Sequence, residues 1–153
     1  MRVLIADQVA SGAIIEMQHQ GMGVDFNKDL SGDSLIAAIK DFDPNILVVR
    51  STKVPVAAID AGASLQLVVR AGAGTDTIDV THCARQGIFV ANCPGKNAHA
   101  VAELAMGLML SLDRRMAEGN QLLHEGKWDK TMFSKCVGIK GRTLGLIGFG
   151  PIA

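Results

Sequence analysis

Ile46-Leu47-Val48-Val49-Arg50-Ser51-Thr52-Lys53 sets the reading of the chain: an unbroken apolar run, then two cations and two hydroxyls within four positions. Apolar residues in succession, without polar alternation, mark a strand buried on both faces, as in a parallel sheet covered by helices on each side. Similar runs recur at Val3 to Ala6, Leu67 to Val69 and Ile88 to Val90, with a weaker one at Gly23 to Phe26. Between them the spacing predicts helices from Ala10 to about Gln20, Ser31 to about Lys40, Pro55 to about Ala61 and Thr77 to about Gln86. Ser31 suits an N-cap, and Asp43-Pro44 marks the return to extended chain. Five strands with interleaved helices make an α/β open parallel sheet of about 95 residues.

The composition sets bounds on function. At 153 residues and 48% hydrophobic, the chain is long enough for one domain and a piece of another. Fifteen basic and fifteen acidic residues cancel, with no long run of like charge, so no footprint for nucleic acid or a membrane surface is visible. Cys83, Cys93 and Cys136 form no C-x-x-C and are odd in number, which favours reduced thiols and a cytoplasmic protein. The opening Met1 to Asp7 reads as a strand rather than a signal peptide. Val101 to Leu112 is the longest apolar stretch, well short of the roughly 20 residues a bilayer span needs, and is expected to be a buried or interface helix.

Beyond the sheet, a helical pattern runs from Asn97 to about Gly119, with Val101, Leu104, Ala105, Leu108 and Leu112 on one face. The chain then reaches Thr143-Leu144-Gly145-Leu146-Ile147, an expected strand, and Gly148-Phe149-Gly150-Pro151-Ile152-Ala153, a G-x-G-x-x-A turn. Glycines at that spacing let a backbone fold tightly and approach a pyrophosphate, as at the start of a dinucleotide-binding lobe.

Ligands of open parallel sheets bind outside the carboxyl ends of the strands. Two such ends stand out. Arg50 offers a planar fork suited to a carboxylate or phosphate, and Lys53 adds a point charge. At the neighbouring end, Arg70-Ala71-Gly72-Ala73-Gly74-Thr75-Asp76 is a small-residue turn whose amides could cradle an anion. Together they suggest a site for a small anionic molecule. A solvated strand end and a tight strand-to-helix connection are the plainer alternatives. His99 and Glu103 stand four apart on a helix, but no further ligand completes a metal site, and His82-Cys83 likewise lacks partners and is expected on a partly buried helix. No metal site and no catalytic group is assigned.

Four stretches together resemble a known family: Val49 to Val54, Arg70 to Asp79, Asn92-Cys93-Pro94-Gly95-Lys96-Asn97 running into Val101-Ala102-Glu103, and Gly141 to Gly150. Their order and spacing are similar to those of the D-isomer-specific 2-hydroxyacid dehydrogenases, most of all the branch acting on phosphoglycerate, with the branches acting on D-lactate or on glyoxylate and hydroxypyruvate as alternatives. The resemblance implies a flavodoxin-like substrate-binding lobe over residues 1–98 and the start of an NAD-binding Rossmann lobe, its first helix and strand, over residues 99–153. It implies substrate contacts at Arg50, Ser51, Lys53, Gly72, Ala73 and Gly74. Cofactor contacts fall at Ala73, Gly148, Gly150, Pro151 and Ile152. The implied cofactor is NAD, with NADP open because Pro151 and Ala153 depart from the commoner turn. The implied partners are a 2-hydroxyacid or 2-oxoacid and, through the Val101 helix, a second copy. The family's catalytic Arg, Glu and His match no residue here, and His82, His99 and His124 stand in other contexts.

Two readings from other classes compete. Arg2 to Asp7 resembles the first strand of a signalling receiver, which needs clustered acids for Mg²⁺ and an aspartate where Arg50 stands. Alternatively the chain is a binding or dimerisation module working through the apolar helix.

Overall fold

Five four-residue strands build one parallel sheet in the computed structural model, which describes every residue from Met1 to Ala153. They are β1 (Arg2–Ile5), β2 (Gly23–Phe26), β3 (Ile46–Val49), β4 (Leu67–Arg70) and β5 (Phe89–Asn92), in the order β2-β1-β3-β4-β5. The helices between them are α1 (Ser11–His19), α2 (Gly32–Phe42), α3 (Val56–Asp60) and α4 (Val80–Arg85). The α/β parallel architecture expected from the apolar runs is present, including the weak second strand. The chain divides into two compact units, Met1–Lys96 and Asn97–Ala153.

Alternation within the strands sorts their side chains between two faces. Leu4, Ala6, Leu47, Val49 and Val68 are fully buried and form one cluster with Leu35 and Ile39 of α2, Ala58 and Ile59 of α3, and Cys83 of α4. Burying a leucine such as Leu4 or Leu47 completely contributes about 1.5–3 kcal/mol. The opposite face is less covered: Val3 and Ile5 are buried, but Ile46, Val48, Leu67 and Val69 are only half-buried. Even coverage of both faces, expected from the apolar runs, is therefore not what this chain achieves by itself.

Local chemistry fixes the ends. Ser31 is extended before α2, and its amide donates to Ser34 Oγ at 3.0 Å while that hydroxyl donates to the Ser31 carbonyl at 2.8 Å. At the other end Asp43 takes φ 45°, a left-handed conformation that an aspartate tolerates when its side chain is tied locally. Its carboxylate accepts from the Ser64 amide at 2.8 Å, the Ser64 hydroxyl at 2.6 Å and Arg2 Nη2 at 2.8 Å. The Ser64 hydrogen bonds foremost, aided by Arg2, hold this carboxyl below its ordinary value.

The second unit departs from expectation twice. The single helix expected from Asn97 to Gly119 is two, α5 (Ala98–Asp113) and α6 (Met116–His124), followed by the short α7 (Lys130–Phe133). Arg115 breaks it by entering the left-handed region at φ 53°, with its guanidinium on Glu118 (Nε to Oε2, 2.7 Å) and 5.3 Å over the Phe133 ring. The expected strand at Thr143 to Ile147 does not form. This unit contains no strand to pair with, and Ile147 is fully exposed. An extended segment gains ladder hydrogen bonds only from a neighbouring strand.

Candidate functional site

The direction of chain progression reverses between β1 and β3: from β1 the chain steps to β2 on one side, and β3 then lies on the other. The crevice outside the carboxyl ends at such a reversal is the usual binding place of an open α/β sheet. In this chain Asp7 fills it. Its Oδ2 accepts from the amides of Arg50 at 2.7 Å, Ser51 at 3.0 Å and Thr52 at 2.9 Å. Three successive N–H groups converging on one point make an anion nest, and here the anion is supplied by the chain. Burial pushes the Asp7 carboxyl up, but hydrogen bonds from the Arg50 and Thr52 amides, the Thr52 side chain and the Ser51 amide outweigh it, so the group lies below its ordinary value. In the sequence Asp7 reads only as the end of a strand. An acid immediately after the first apolar run, facing a loop of small polar residues, was the available signal.

With its amides engaged, the loop after β3 presents side chains. Arg50, Ser51 and Lys53 are exposed, whereas Thr52 turns inward, its hydroxyl donating to the Ala6 carbonyl at 3.3 Å. The same loop is tied to the one after β4. Val54 and Ile78 form an isolated parallel bridge, the Val54 amide donates to the Thr77 carbonyl at 2.8 Å, and the Ala71 amide donates to the Val49 carbonyl at 2.7 Å. Val54 and Ile78 are buried, so the tie is shielded from water. The two strand ends singled out in the sequence thus form one continuous rim.

The turn after β4 is set by its neighbours. The Gly72 amide is taken by the Arg70 carbonyl at 2.8 Å, and the Gly72 carbonyl accepts from the Cys93 amide at 2.9 Å. Asn92, at the end of β5, donates through Nδ2 to the Ala73 carbonyl at 2.6 Å. The amides of Ala73 and Gly74 donate to no acceptor within the chain. The amide offer of this turn is therefore narrower than the sequence suggested: the Ala71 and Gly72 amides are engaged, and Ala73, Gly74, Thr75 and Asp76 carry the free donors. In the sequence Asn92 carries no assigned role; a carboxamide at a strand end is its signal.

The other candidates lie elsewhere. His82 does have a partner, remote in sequence: its Nε2 lies 2.6 Å from Asp60 Oδ1, linking α4 to α3. His99 and Glu103 are both exposed and make no hydrogen bond with one another. No three His, Cys, Asp or Glu side chains are grouped to hold a metal ion. That, with Arg50 at the end of β3, removes the receiver reading. In the terminal turn Gly148 adopts φ 90°, a conformation open to glycine but not to a side chain, and the Ala153 amide closes back on the Gly150 carbonyl at 3.1 Å. Residues 148–153 are all exposed, and a Cβ at Gly148 or Gly150 would meet nothing within 4 Å. The conformation of Gly148 and the open space around the turn fit a cofactor phosphate approaching the backbone.

The family profile of the D-isomer specific 2-hydroxyacid dehydrogenase catalytic domain matches residues 3–144. The chain belongs to that family. It is 48% identical over 127 residues to hydroxypyruvate reductase of Thermotoga maritima, covering 82% of this chain and 40% of that protein. It is 35% identical over 153 residues to D-3-phosphoglycerate dehydrogenase of Archaeoglobus fulgidus, covering 99% of this chain and 28% of that one. Among solved structures, NAD⁺-bound 3-phosphoglycerate dehydrogenase of Entamoeba histolytica superposes with a TM-score of 0.63 at 34% identity, over 72% of this chain and 38% of that one. The chain thus spans well under half the length of each of these relatives. No helix in it is long and apolar enough to cross a membrane.

Proposed function

We propose that this chain is the N-terminal part of an NAD-dependent D-2-hydroxyacid dehydrogenase that oxidises 3-phosphoglycerate at the entry to serine synthesis in the cytoplasm. Residues 1–98 form its substrate-binding lobe and residues 99–153 begin its nucleotide lobe. The observation that carries the reading is the continuous rim at the ends of β3 and β4, where exposed Arg50, Ser51 and Lys53 adjoin the unengaged amides of Ala73 and Gly74. Cations and free amides on one rim suit the carboxylate of a hydroxyacid, and neither side alone would fix its orientation.

In the reaction the C2–H bond of the acid breaks with its electron pair leaving as hydride, the hydroxyl loses a proton, and the alcohol becomes a ketone. NAD supplies the hydride acceptor when bound, and Gly148, Gly150, Pro151 and Ile152 would hold its pyrophosphate, with Ala73 beside the nicotinamide. Arg50 and Lys53 bind the acid as charge-assisted donors, and the Ala73 and Gly74 amides set its tilt. Asp7 contributes by keeping the β3 loop closed and its amides neutralised, so that the substrate meets the Arg50 side chain rather than the loop backbone. No residue of this chain is given the proton-transfer role; His82 is engaged by Asp60. The test is reduction of NAD by a protein carried to the length of the relatives, with 3-phosphoglycerate, glycerate and D-lactate as substrates. Turnover of the phosphorylated acid is expected, and failure with every 2-hydroxyacid overturns the proposal.

A second reading rests on a separate observation. Leu104, Leu108 and Leu112 of α5 are 61%, 54% and 79% exposed, one apolar stripe along a helix. We infer that this stripe drives homodimerisation, of the short chain as a binding module and of the complete enzyme. Light scattering of the chain and of its Leu108→Glu variant tests it: a dimer converted to monomer supports the reading, and a parent that is already monomeric refutes it.

A further inference from the structure

The end of β5 holds the turn after β4 by its carbonyl groups. Cys93 donates its backbone N–H to the Gly72 carbonyl at 2.9 Å, and Asn92 donates through Nδ2 to the Ala73 carbonyl at 2.6 Å. These carbonyls belong to consecutive peptide units, Gly72–Ala73 and Ala73–Gly74. No peptide bond in the chain is cis, and a trans unit points its N–H opposite to its C=O. Two carbonyls held toward β5 therefore turn the Ala73 and Gly74 amides away from it, and the other neighbour of β4 is β3, the strand that leads into Arg50. Each unit borders a glycine, whose backbone rotates with little restraint, so the orientation has to come from these bonds. The two anchors differ in kind. That of the Ala73 amide is backbone to backbone, whereas that of the Gly74 amide rests on one side-chain carboxamide. Gly74 also has a rival acceptor close by: Asp76 Oδ1 lies 2.8 Å from where a Cβ on Gly74 would stand.

We propose that Asn92 is a positioning residue: by holding the Ala73 carbonyl it aims the Gly74 amide at the substrate carboxylate and keeps that amide from turning to Asp76. It acts through the peptide unit and not by touching the substrate. The inference rests on the dehydrogenase reading and adds to it the group that orients one of its donors. A hydrogen bond into the carbonyl also polarises the peptide, which makes the N–H on its far side a stronger donor. An amide already aligned meets the carboxylate without reorganising during the reaction. The side chain suits the place because it is a neutral donor. A carboxylate there would set acceptor against acceptor beside an anion site, and an ammonium would draw the anion to itself.

The test follows the amide chemical shifts of Ala73 and Gly74 while the 153-residue chain is titrated with 3-phosphoglycerate. In the parent both amides are expected to move. In Asn92→Ala the Gly74 movement is expected to collapse and the dissociation constant to rise about fivefold, while Ala73, anchored by the Cys93 backbone, keeps its movement. Asn92→Gln, which keeps the carboxamide, is expected to recover part of both losses. Scalar coupling across the hydrogen bond from Asn92 Nδ2 to the Ala73 carbonyl carbon, read in the parent alone, is expected to strengthen on binding. A coupling that is absent or indifferent to the ligand overturns the proposal even where no variant folds. Equal loss at Ala73 and Gly74, the mark of a merely structural role, overturns it too, as does an unchanged Gly74 response in Asn92→Ala. Each of these results leaves the dehydrogenase reading standing. A parent in which neither amide responds also overturns the inference, and the turnover assay above then decides the wider reading separately.

Discussion

The two units of this chain spend their apolar residues in opposite ways. Of eighteen buried apolar residues, seventeen lie in Met1–Lys96, and Ala98 alone lies in Asn97–Ala153. Of the twenty-one large hydrophobic side chains left exposed, fifteen belong to the second unit, among them Leu112, Trp128, Ile147 and Phe149. A parallel sheet with its helices can close a core from local βαβ units. Helices and extended segments in series cannot, and apolar surface displayed on this scale marks contact surface. The candidate site follows the same division. Its rim at the ends of β3 and β4 is tied together within the first unit by Asp7 and by the Val54–Ile78 bridge, while the glycine turn of the second stands open.

The largest expected effect breaks or upholds that comparison directly. Leu47→Ala, in the middle of the sheet and fully buried, is expected to cost about 2–5 kcal/mol. Leu146→Ala, 55% exposed and outside the α5 stripe, is expected to fall within about 0.5 kcal/mol. Hydrogen exchange of the β1, β3 and β4 amides in urea reads the first unit, and fluorescence of Trp128, the single tryptophan, reads the second. Similar losses from both substitutions would show that the second unit has a core of its own.

How far the sequence exposes this arrangement depends on the range of the forces involved. Ile46 to Val49 and Leu67 to Val69 declare buried parallel strands because the code for them is local, a run of branched apolar side chains. The rim residues Arg50 and Lys53 are legible for the same reason, since a strand end is one position beyond its run. Asp7 and Asn92 are not: their roles arise from amides 43 to 45 residues away and a carbonyl 19 away, and no spacing encodes such contacts. The Thr143 to Ile147 segment errs the other way. Its composition is that of a strand, but pairing is a property of neighbours, and the second unit offers none. Arg115 likewise ends α5 through contacts with Glu118 and Phe133 that outweigh a continuous helical pattern.

Asp7 gives an intermediate effect that sharpens the contrast between the closed rim and the open turn. Asp7→Ala strands three amides at once, and removal of an acceptor from such groups costs about 1–3 kcal/mol. Because the folded carboxyl lies below its unfolded value of 3.8, the stabilisation is fully present above that pH and is lost as pH falls through the lower folded value. Denaturant midpoints of parent and Asp7→Asn are therefore expected to differ near neutrality and to converge below about pH 3.8. The rim loop should feel this first, and the terminal turn around Gly148 should not respond at all. A constant difference across the acid range would mean that the carboxylate charge is not what holds the loop.

The smallest effect concerns the link between α3 and α4, which follow the two rim loops. His82 Nε2 and Asp60 Oδ1 are 2.6 Å apart, with the His82 side chain 18% exposed and that of Asp60 48% exposed. Half-exposed pairs contribute little, because water competes for the carboxylate and two side chains must be held in one geometry. Gln86 Nε2 also reaches the same oxygen, at 3.5 Å, so the loss of His82 alone leaves Asp60 with a remaining donor. Single substitutions would mix these terms. A double-mutant cycle of His82→Ala and Asp60→Ala removes the mixture, and its coupling is expected at about 0.2–1 kcal/mol. Slowed exchange in both α3 and α4 of the parent relative to the single variants would show that the pair transmits stability between the two helices. Zero coupling would assign their alignment to the buried contacts of Ala58, Ile59 and Cys83 instead, and the rim would then be held by core packing and by Asp7, with no help from this side-chain contact.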